Sequence, residues 1–296
     1  MKRRPDHPRP DASAGDLSAG ERVAIVGLGL MGGSFAAALR AKRPELTLVG
    51  VDRDEAVVRK GLARGLVTIA STQPEAVAGS RAVMLAVPLS GMAAVLAAIA
   101  PFASGAAVTD MAGVKVPVLE LARAVGVDLV GGHPMCGREL SGIDAAEAAL
   151  FEGAPWILTR RHAVIEELVT AIGARPVVVD AERHDRFVAG VSHTAHLLSV
   201  AYVLALSASA DWAQMSRLAG PGFRDMSRLA AGDAQLYAEI ASANRPNIVS
   251  ALDDVSASIS RVRRHLEASD GRLVELLEEA QAARQRWAEG RHEGNG

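Results

Sequence analysis

Short apolar runs and helical stretches alternate through the first 180 residues. "RVAIVGLG", "LTLVGVD", "AVMLAVP", "GAAVTDM" and "VDLVGG" are rich in Val, Ile and Leu and show little polar alternation. Strands buried on both faces by crossover helices have this character. Between them lie helical stretches such as "GGSFAAALRAK" and "SGMAAVLAAIA". The βαβαβ order predicts a Rossmann-type doubly wound parallel sheet. Two later runs, "PWILTR" and "RPVVVD", are expected to extend that sheet at its edge.

After about Asp180 the strand signal stops and the chain reads as helix, with breaks near Pro221-Gly222, Pro246 and Gly271. Ile248, Leu252, Val255, Ile259, Val262 and Leu266 recur at alternating spacings of four and three, a continuous apolar stripe. Pro246 suits the first turn of a helix. Such a domain buries its stripe against itself or against a second copy of the chain. The expected organisation is a polar, proline-rich, disordered tail over residues 1–20, an α/β domain over 21–180 and an all-helical domain over 181–296. The segment from Phe187 to Ala210 lacks Asp, Glu, Lys and Arg and is long enough to span a bilayer. Its scattered polar residues, with no flanking aromatic belt, favour a helix buried within the protein or at a dimer interface.

Composition narrows the partners. The 296 residues are 49% hydrophobic and 22% charged, with a net charge of −2. Neither nucleic acid nor a membrane surface is therefore expected as a partner. The single cysteine, Cys136, excludes an intrachain disulfide and points to a reducing cytoplasm.

Two stretches carry chemistry. "VAIVGLGLMGGS" contains G-x-G-x-x-G as Gly27, Gly29 and Gly32, directly after a strand and opening a helix. With Leu28, Leu30 and Met31 these glycines form a candidate cofactor loop, where a pyrophosphate can approach backbone amides and a helix N-terminus. Asp52 ends the next strand, 20 positions beyond Gly32, where a carboxylate would accept hydrogen bonds from a ribose diol. Asp52 implies NAD over NADP, although Arg53 beside it could bind the additional phosphate. The second stretch is "GGHPMCGREL". Pro134 pushes His133 towards extended geometry, so His133 is expected where a strand ends and a loop begins. A histidine, titrating near neutrality, suits removal of a hydroxyl proton as hydride leaves. No metal site is expected.

These stretches, with others, resemble the prephenate/arogenate dehydrogenases of tyrosine biosynthesis from about Arg22 to past Ile240. "GLGLMGGS" resembles the family's nucleotide loop, and "TDMAGVK" its T-D-x-x-S-V-K. "HPMCGRELSGIDAAEAALFEGAPWILT" resembles its H-P-M-A-G-x-E-x-S-G segment with the F-x-x-x-P-[WY]-x-L-T stretch that follows. "VSHTAHLLS" is similar to its S-H-x-x-H-L-L helix, and "GFRDMSRLAAGDAQLYAEI" to its G-F-R-D-x-[TS]-R segment. The resemblance implies NAD-dependent oxidative decarboxylation of a small molecule, prephenate to 4-hydroxyphenylpyruvate or arogenate to tyrosine, by a homodimer. It also implies residue roles. His133 takes up the hydroxyl proton, Arg228 grips the ring carboxylate, Ser192 and His196 lie near the nicotinamide and the substrate side chain, and Glu139 lies near the pocket mouth. Read without the family, Arg228 is a surface salt bridge and Glu139 an exposed loop charge. Ser192 and His196 share a helix face as buried polar groups, or as part of a metal site with His193.

Two departures stand out. Gly113 replaces the family serine that hydrogen-bonds the catalytic histidine, so His133 must be oriented by water, a backbone group or another side chain such as Ser192. Cys136, where Ala is usual, is expected to be a buried space-filler rather than a nucleophile. Rival readings are a β-hydroxyacid dehydrogenase, an enzyme for 4-amino-4-deoxyprephenate, or a non-catalytic protein binding NAD or tyrosine. The first lacks its K-x-x-N helix here, since Lys115 is the last lysine in the chain.

Overall fold

Alternate residues of each early strand sort to opposite faces of one sheet. In the computed structural model, which describes residues 17–137, 140–269 and 271–293, six parallel strands make this sheet. They are β1 (Arg22–Val26), β2 (Thr47–Val51), β3 (Ile69–Ser71), β4 (Ala82–Leu85), β5 (Ala107–Asp110) and β6 (Leu129–Val130), in the order β3-β2-β1-β4-β5-β6. The crossover helices are α1 (Leu30–Lys42), α2 (Glu55–Ala63), α3 (Leu89–Ile99) and α4 (Val116–Ala124), and α5 (Ala163–Ala171) follows. Val23, Ile25 and Met84 share one core cluster with Phe35 and Leu39 of α1 and Leu168 of α5. Ala24, Val26, Val83 and Leu85 share the other with Met92 and Leu96 of α3 and Val118 of α4. Burial on both faces is why the strands lack polar alternation.

The later runs do not extend this sheet. β7 (Gly132–Pro134), β8 (Pro155–Leu158) and β9 (Arg175–Val178) form a separate three-stranded sheet, with β7 antiparallel to β8 and β8 parallel to β9. His133 accordingly lies inside a strand, opposite Ile157, rather than at a strand–loop junction. The reason lies in the two preceding glycines. A Cβ on Gly131 would stand 2.8 Å from Thr159 Cγ2, and one on Gly132 would stand 2.4 Å from the Asp110 carbonyl oxygen. Only glycine lets the chain turn so closely from the first sheet into the second. Pro134 is tolerated because it ends an outer strand.

The segment Thr109–Lys115 fastens that turn. Thr109 Oγ1 donates to the Val130 carbonyl at 2.7 Å, and Asp110 accepts from Gly132 N and Ala112 N, each at 2.9 Å. Lys115, fully buried, pairs with Asp110 and donates to the Gly132 carbonyl. Burial pushes the Lys115 pKa down, opposed by the Asp110 charge.

The chain divides into two units. The first runs to Asp185 and regains Asp233–Ala243; the second holds Arg186–Gly232 and the chain from Asn244 onward. The single boundary expected at 180 is thus displaced by a few residues, and one helix, Ala234–Ala243, returns to the α/β unit. At the N-terminus, the expected tail lies outside the described residues up to position 16. Leu17 is already buried, its amide donating to Glu167 and its carbonyl accepting from Arg43.

α6 (Ala181–Val188) crosses into the second unit, passes through a π turn at Ala189–His193, and continues as α7 (Thr194–Ser207). Two long helices, Arg245–Ala268 and Arg272–Glu293, complete this unit, with Pro246 in the first turn as expected. The apolar stripe starts buried at Ile248, but Ile259 and Leu266 are each 58% exposed. The Ala181–Ser207 helix is long and apolar enough to cross a membrane by length and composition, and 33% of its apolar window is buried in a single chain. Of the two settings expected from sequence, burial within one chain accounts for only part of this helix.

Removing one member of the buried ion pair should be costly. Lys115→Ala is expected to lose about 3–5 kcal/mol in urea unfolding, because Asp110 would remain buried without its counter-charge. Lys42→Ala, whose pair with Glu152 is more than half exposed, should lose no more than about 1 kcal/mol. Equal losses at the two positions would contradict this assignment.

Candidate active site

The glycine loop closes β1 onto the end of β4. Gly27 has φ +91, and a Cβ there would meet the Ala86 carbonyl oxygen at 2.4 Å. A Cβ on Gly32 would meet the Gly27 carbonyl oxygen at 1.8 Å, so both glycines are demanded by packing. Gly29 differs: nothing lies within 4 Å of its Cβ position, leaving its backbone open to a ligand. Leu28 is buried beneath the loop, while Leu30 and Met31 open α1 half-buried. Asp52 braces the turn by accepting from Leu28 N at 2.8 Å and Asp54 N at 3.0 Å. A carboxylate offers about four acceptor positions, so capacity remains for a ribose diol. Arg53 is exposed beside it. The loop sits at the carboxyl ends of β1 and β4, where the strand order reverses, and its residues fit a dinucleotide.

His133 is half-buried, and its Nδ1 lies 2.9 Å from His184 Nε2, the two rings meeting edge to face. His184 Nδ1 lies 2.7 Å from Asp185 Oδ1. Asp185 in turn accepts from the amides of Lys115 (2.7 Å) and Val116 (2.9 Å) at the N-terminus of α4. His184 and Asp185 are both buried. Asp180 starts their helix by accepting from Arg183 N. With glycine at position 113, a histidine, His184, stands as a side-chain partner of His133. Sequence reading missed it because "AERHDRF" looks like a solvated helical turn. The one available signal was a histidine directly preceding an aspartate.

A Cβ on Gly113 would lie 4.0 Å from His133 Nε2 and 3.4 Å from Ile240 Cδ1. The Nε2 edge of His133 thus borders Gly113, with the returning helix Ala234–Ala243 alongside. Cys136 packs against the core, and burial raises its thiol to about 11, which leaves it unsuited to nucleophilic chemistry.

The remaining candidates belong to the second unit. Ser192 is half-buried within the π turn, a helix irregularity that recurs at functional sites. His196 is buried; desolvation lowers its pKa, against a hydrogen bond with the Leu229 backbone. Ser199 Oγ accepts from Ala230 N at 3.0 Å, holding the turn Arg228–Ala231 against α7. Arg228 itself is exposed. His193 meets Asn244 at 3.2 Å. Among the described residues, no three His, Cys, Asp or Glu side chains gather to hold a metal ion. Glu139 lies outside the described residues.

The sheet order, the glycine turn and Asp52 define a Rossmann-type dinucleotide-binding protein. Comparison with known proteins narrows this class. Residues 35–177 match the prephenate dehydrogenase nucleotide-binding domain, and residues 180–279 match the prephenate dehydrogenase dimerization domain. A prephenate dehydrogenase of Lactococcus lactis is 30% identical over 90% of this chain and 77% of its own length. A cyclohexadienyl dehydrogenase of Zymomonas mobilis is 31% identical, covering 89% of this chain and 95% of its own. Among solved structures, the Aquifex aeolicus prephenate dehydrogenase in complex with hydroxyphenyl propionate and NAD+ superposes with a TM-score of 0.84 at 27% identity. That superposition covers 92% of this chain and 99% of the other. The Synechocystis arogenate dehydrogenase gives 0.79 at 28% identity, covering 90% and 99%. The chain belongs to the prephenate dehydrogenase family, and it is a dehydrogenase of the tyrosine-pathway type.

Two substitutions test the site's packing. Alanine is the better helix former by about 1 kcal/mol. Gly32→Ala should nevertheless lower stability by about 1–3 kcal/mol in thermal unfolding, because its Cβ enters the Gly27 carbonyl. Gly29→Ala should leave the midpoint near wild type, and a reversed order would contradict the geometry. Cys136→Ala should keep full turnover. In the unmodified protein, iodoacetamide at pH 8 should label Cys136 slowly, since about one thiol in a thousand is ionised there.

Proposed function

We propose that the protein catalyses NAD-dependent oxidative decarboxylation of prephenate to 4-hydroxyphenylpyruvate, or of arogenate to tyrosine. The observation that carries this reading is a histidine backed by a carboxylate-anchored partner, in the same unit as a dinucleotide-type glycine turn. The relatives named for prephenate, cyclohexadienyl and arogenate dehydrogenation support the substrate class. The NAD+ complex of the Aquifex aeolicus enzyme, together with Asp52, supports the cofactor.

Gly27, Gly29 and Gly32 would hold the pyrophosphate and Asp52 the ribose. A bound nicotinamide would supply the hydride acceptor for the ring carbon bearing the hydroxyl. His133 Nε2 takes the hydroxyl proton as that hydride leaves. Loss of carbon dioxide then delivers its electron pair to the ring, and the proton returns from His133 to the ring oxygen of the aromatic product. Charge and protons balance without a further base. The match of "GFRDMSR" supports Arg228 as the group for the ring carboxylate, and "SHTAH" supports Ser192 and His196 as contacts to the reacting groups. The exposed apolar residues Leu204, Ile259 and Leu266, with the matched dimerization domain, support a homodimer. The single cysteine and modest net charge fit a cytoplasmic setting.

Formation of NADH with NAD+ and each substrate in turn tests the reading. Turnover of prephenate or arogenate is expected, and the ratio of kcat/KM values names the substrate. Turnover of only 4-amino-4-deoxyprephenate would replace it. His133→Asn should reduce kcat by about 10²–10⁴ while NAD+ still binds. In solution scattering, a mass near 30.8 kDa rather than twice that would contradict the dimer.

A further inference from the structure

Asp185, His184 and His133 form a one-way chain of hydrogen bonds. A carboxylate is acceptor-only, and that of Asp185 already accepts from two amides at the N-terminus of α4. His184 Nδ1 must therefore donate to it. In the neutral imidazole the other nitrogen is then an acceptor, so His184 Nε2 accepts the proton on His133 Nδ1. The proton position on His133 follows: Nδ1 carries hydrogen, and Nε2 carries the lone pair on the edge that borders Gly113. Buried beside the core, neither His184 nor Asp185 can exchange these partners for solvent without local opening.

We propose that His184 and Asp185 are positioning residues for the reaction. They fix the tautomer and ring direction of His133, so that this chain needs no side chain at position 113 to aim it. The proposal rests on the reading of His133 as proton acceptor. It adds that the aim comes from behind the ring, through Nδ1. The backing pair also stabilises the charge that His133 acquires, since the imidazolium keeps donating to His184, which donates to Asp185.

The groups around the chain are consistent with that assignment. Lys115 places its ammonium on Asp110 and the Gly132 carbonyl and gives Asp185 its backbone amide. The carboxylate of Asp185 thus takes His184 and two amide donors.

Two variants of the dimeric holoenzyme test the proposal. His184→Phe keeps a ring but removes the acceptor, whereas His184→Gln offers an amide oxygen to His133 Nδ1. His184→Phe should lower kcat by about a hundredfold with KM for substrate and NAD+ changed little, and it should shift the acidic limb of the kcat–pH profile. His184→Gln should recover most of the loss. An activity-independent readout is the ¹⁵N spectrum of the histidine rings. His133 should carry its hydrogen on Nδ1 in the wild type and lose that preference in His184→Phe. Equal activity in both variants, or a His133 tautomer unchanged by His184→Phe, would overturn the proposal. If the wild type shows the Nδ1–H tautomer but turns over neither substrate, the proposed function fails and the positioning of His133 stands.

Discussion

The Lys115 side chain is the point on which the dinucleotide-binding unit of this protein turns. Its ammonium, fully removed from water, is tolerable only because Asp110 and the Gly132 carbonyl surround it. The Gly132 contact lies one residue before His133, so the ion pair fixes where the second sheet leaves the first. The backbone amide of the same lysine binds Asp185, which anchors His184 and through it His133. One buried residue therefore sets both the strand that carries the histidine and the group that stands behind it.

This arrangement separates two tasks that a single loop could not perform well. The glycine turn after β1 must be open, because a dinucleotide has to approach its backbone, and Gly29 supplies that opening. In the proposed role the histidine must be rigid, because a proton acceptor displaced by about 1 Å can lose a hundredfold in rate. Rigidity comes from burying its support and from a strand pairing that holds it opposite Ile157.

Much of this was legible in the sequence, and the parts that were not have physical reasons. The parallel strands showed themselves because burial on both faces forces continuous apolar runs. The glycine turn and Asp52 showed themselves because a close backbone approach admits so few residue types. The second sheet did not, because its strands of three or four residues carry no period that distinguishes a new sheet from an added edge. The return of Ala234–Ala243 to the first unit was hidden, since its apolar positions look the same whichever unit they pack on. His184 and Asp185 were invisible for a different reason: polar residues in a charged helical turn read as solvated, and only the packing shows them buried. The π turn at Ala189–His193 leaves no mark in an apolar helix.

The family resemblance and the geometry meet at His133, and the central claim is that this one ring accepts the proton. The pH dependence of kcat/KM tests it most directly. The expected result is an acidic limb in which the rate falls about tenfold per pH unit through a single ionisation. That limb should be absent from the residual activity of His133→Asn. The same acidic limb persisting in His133→Asn would contradict the claim and place the proton acceptor elsewhere.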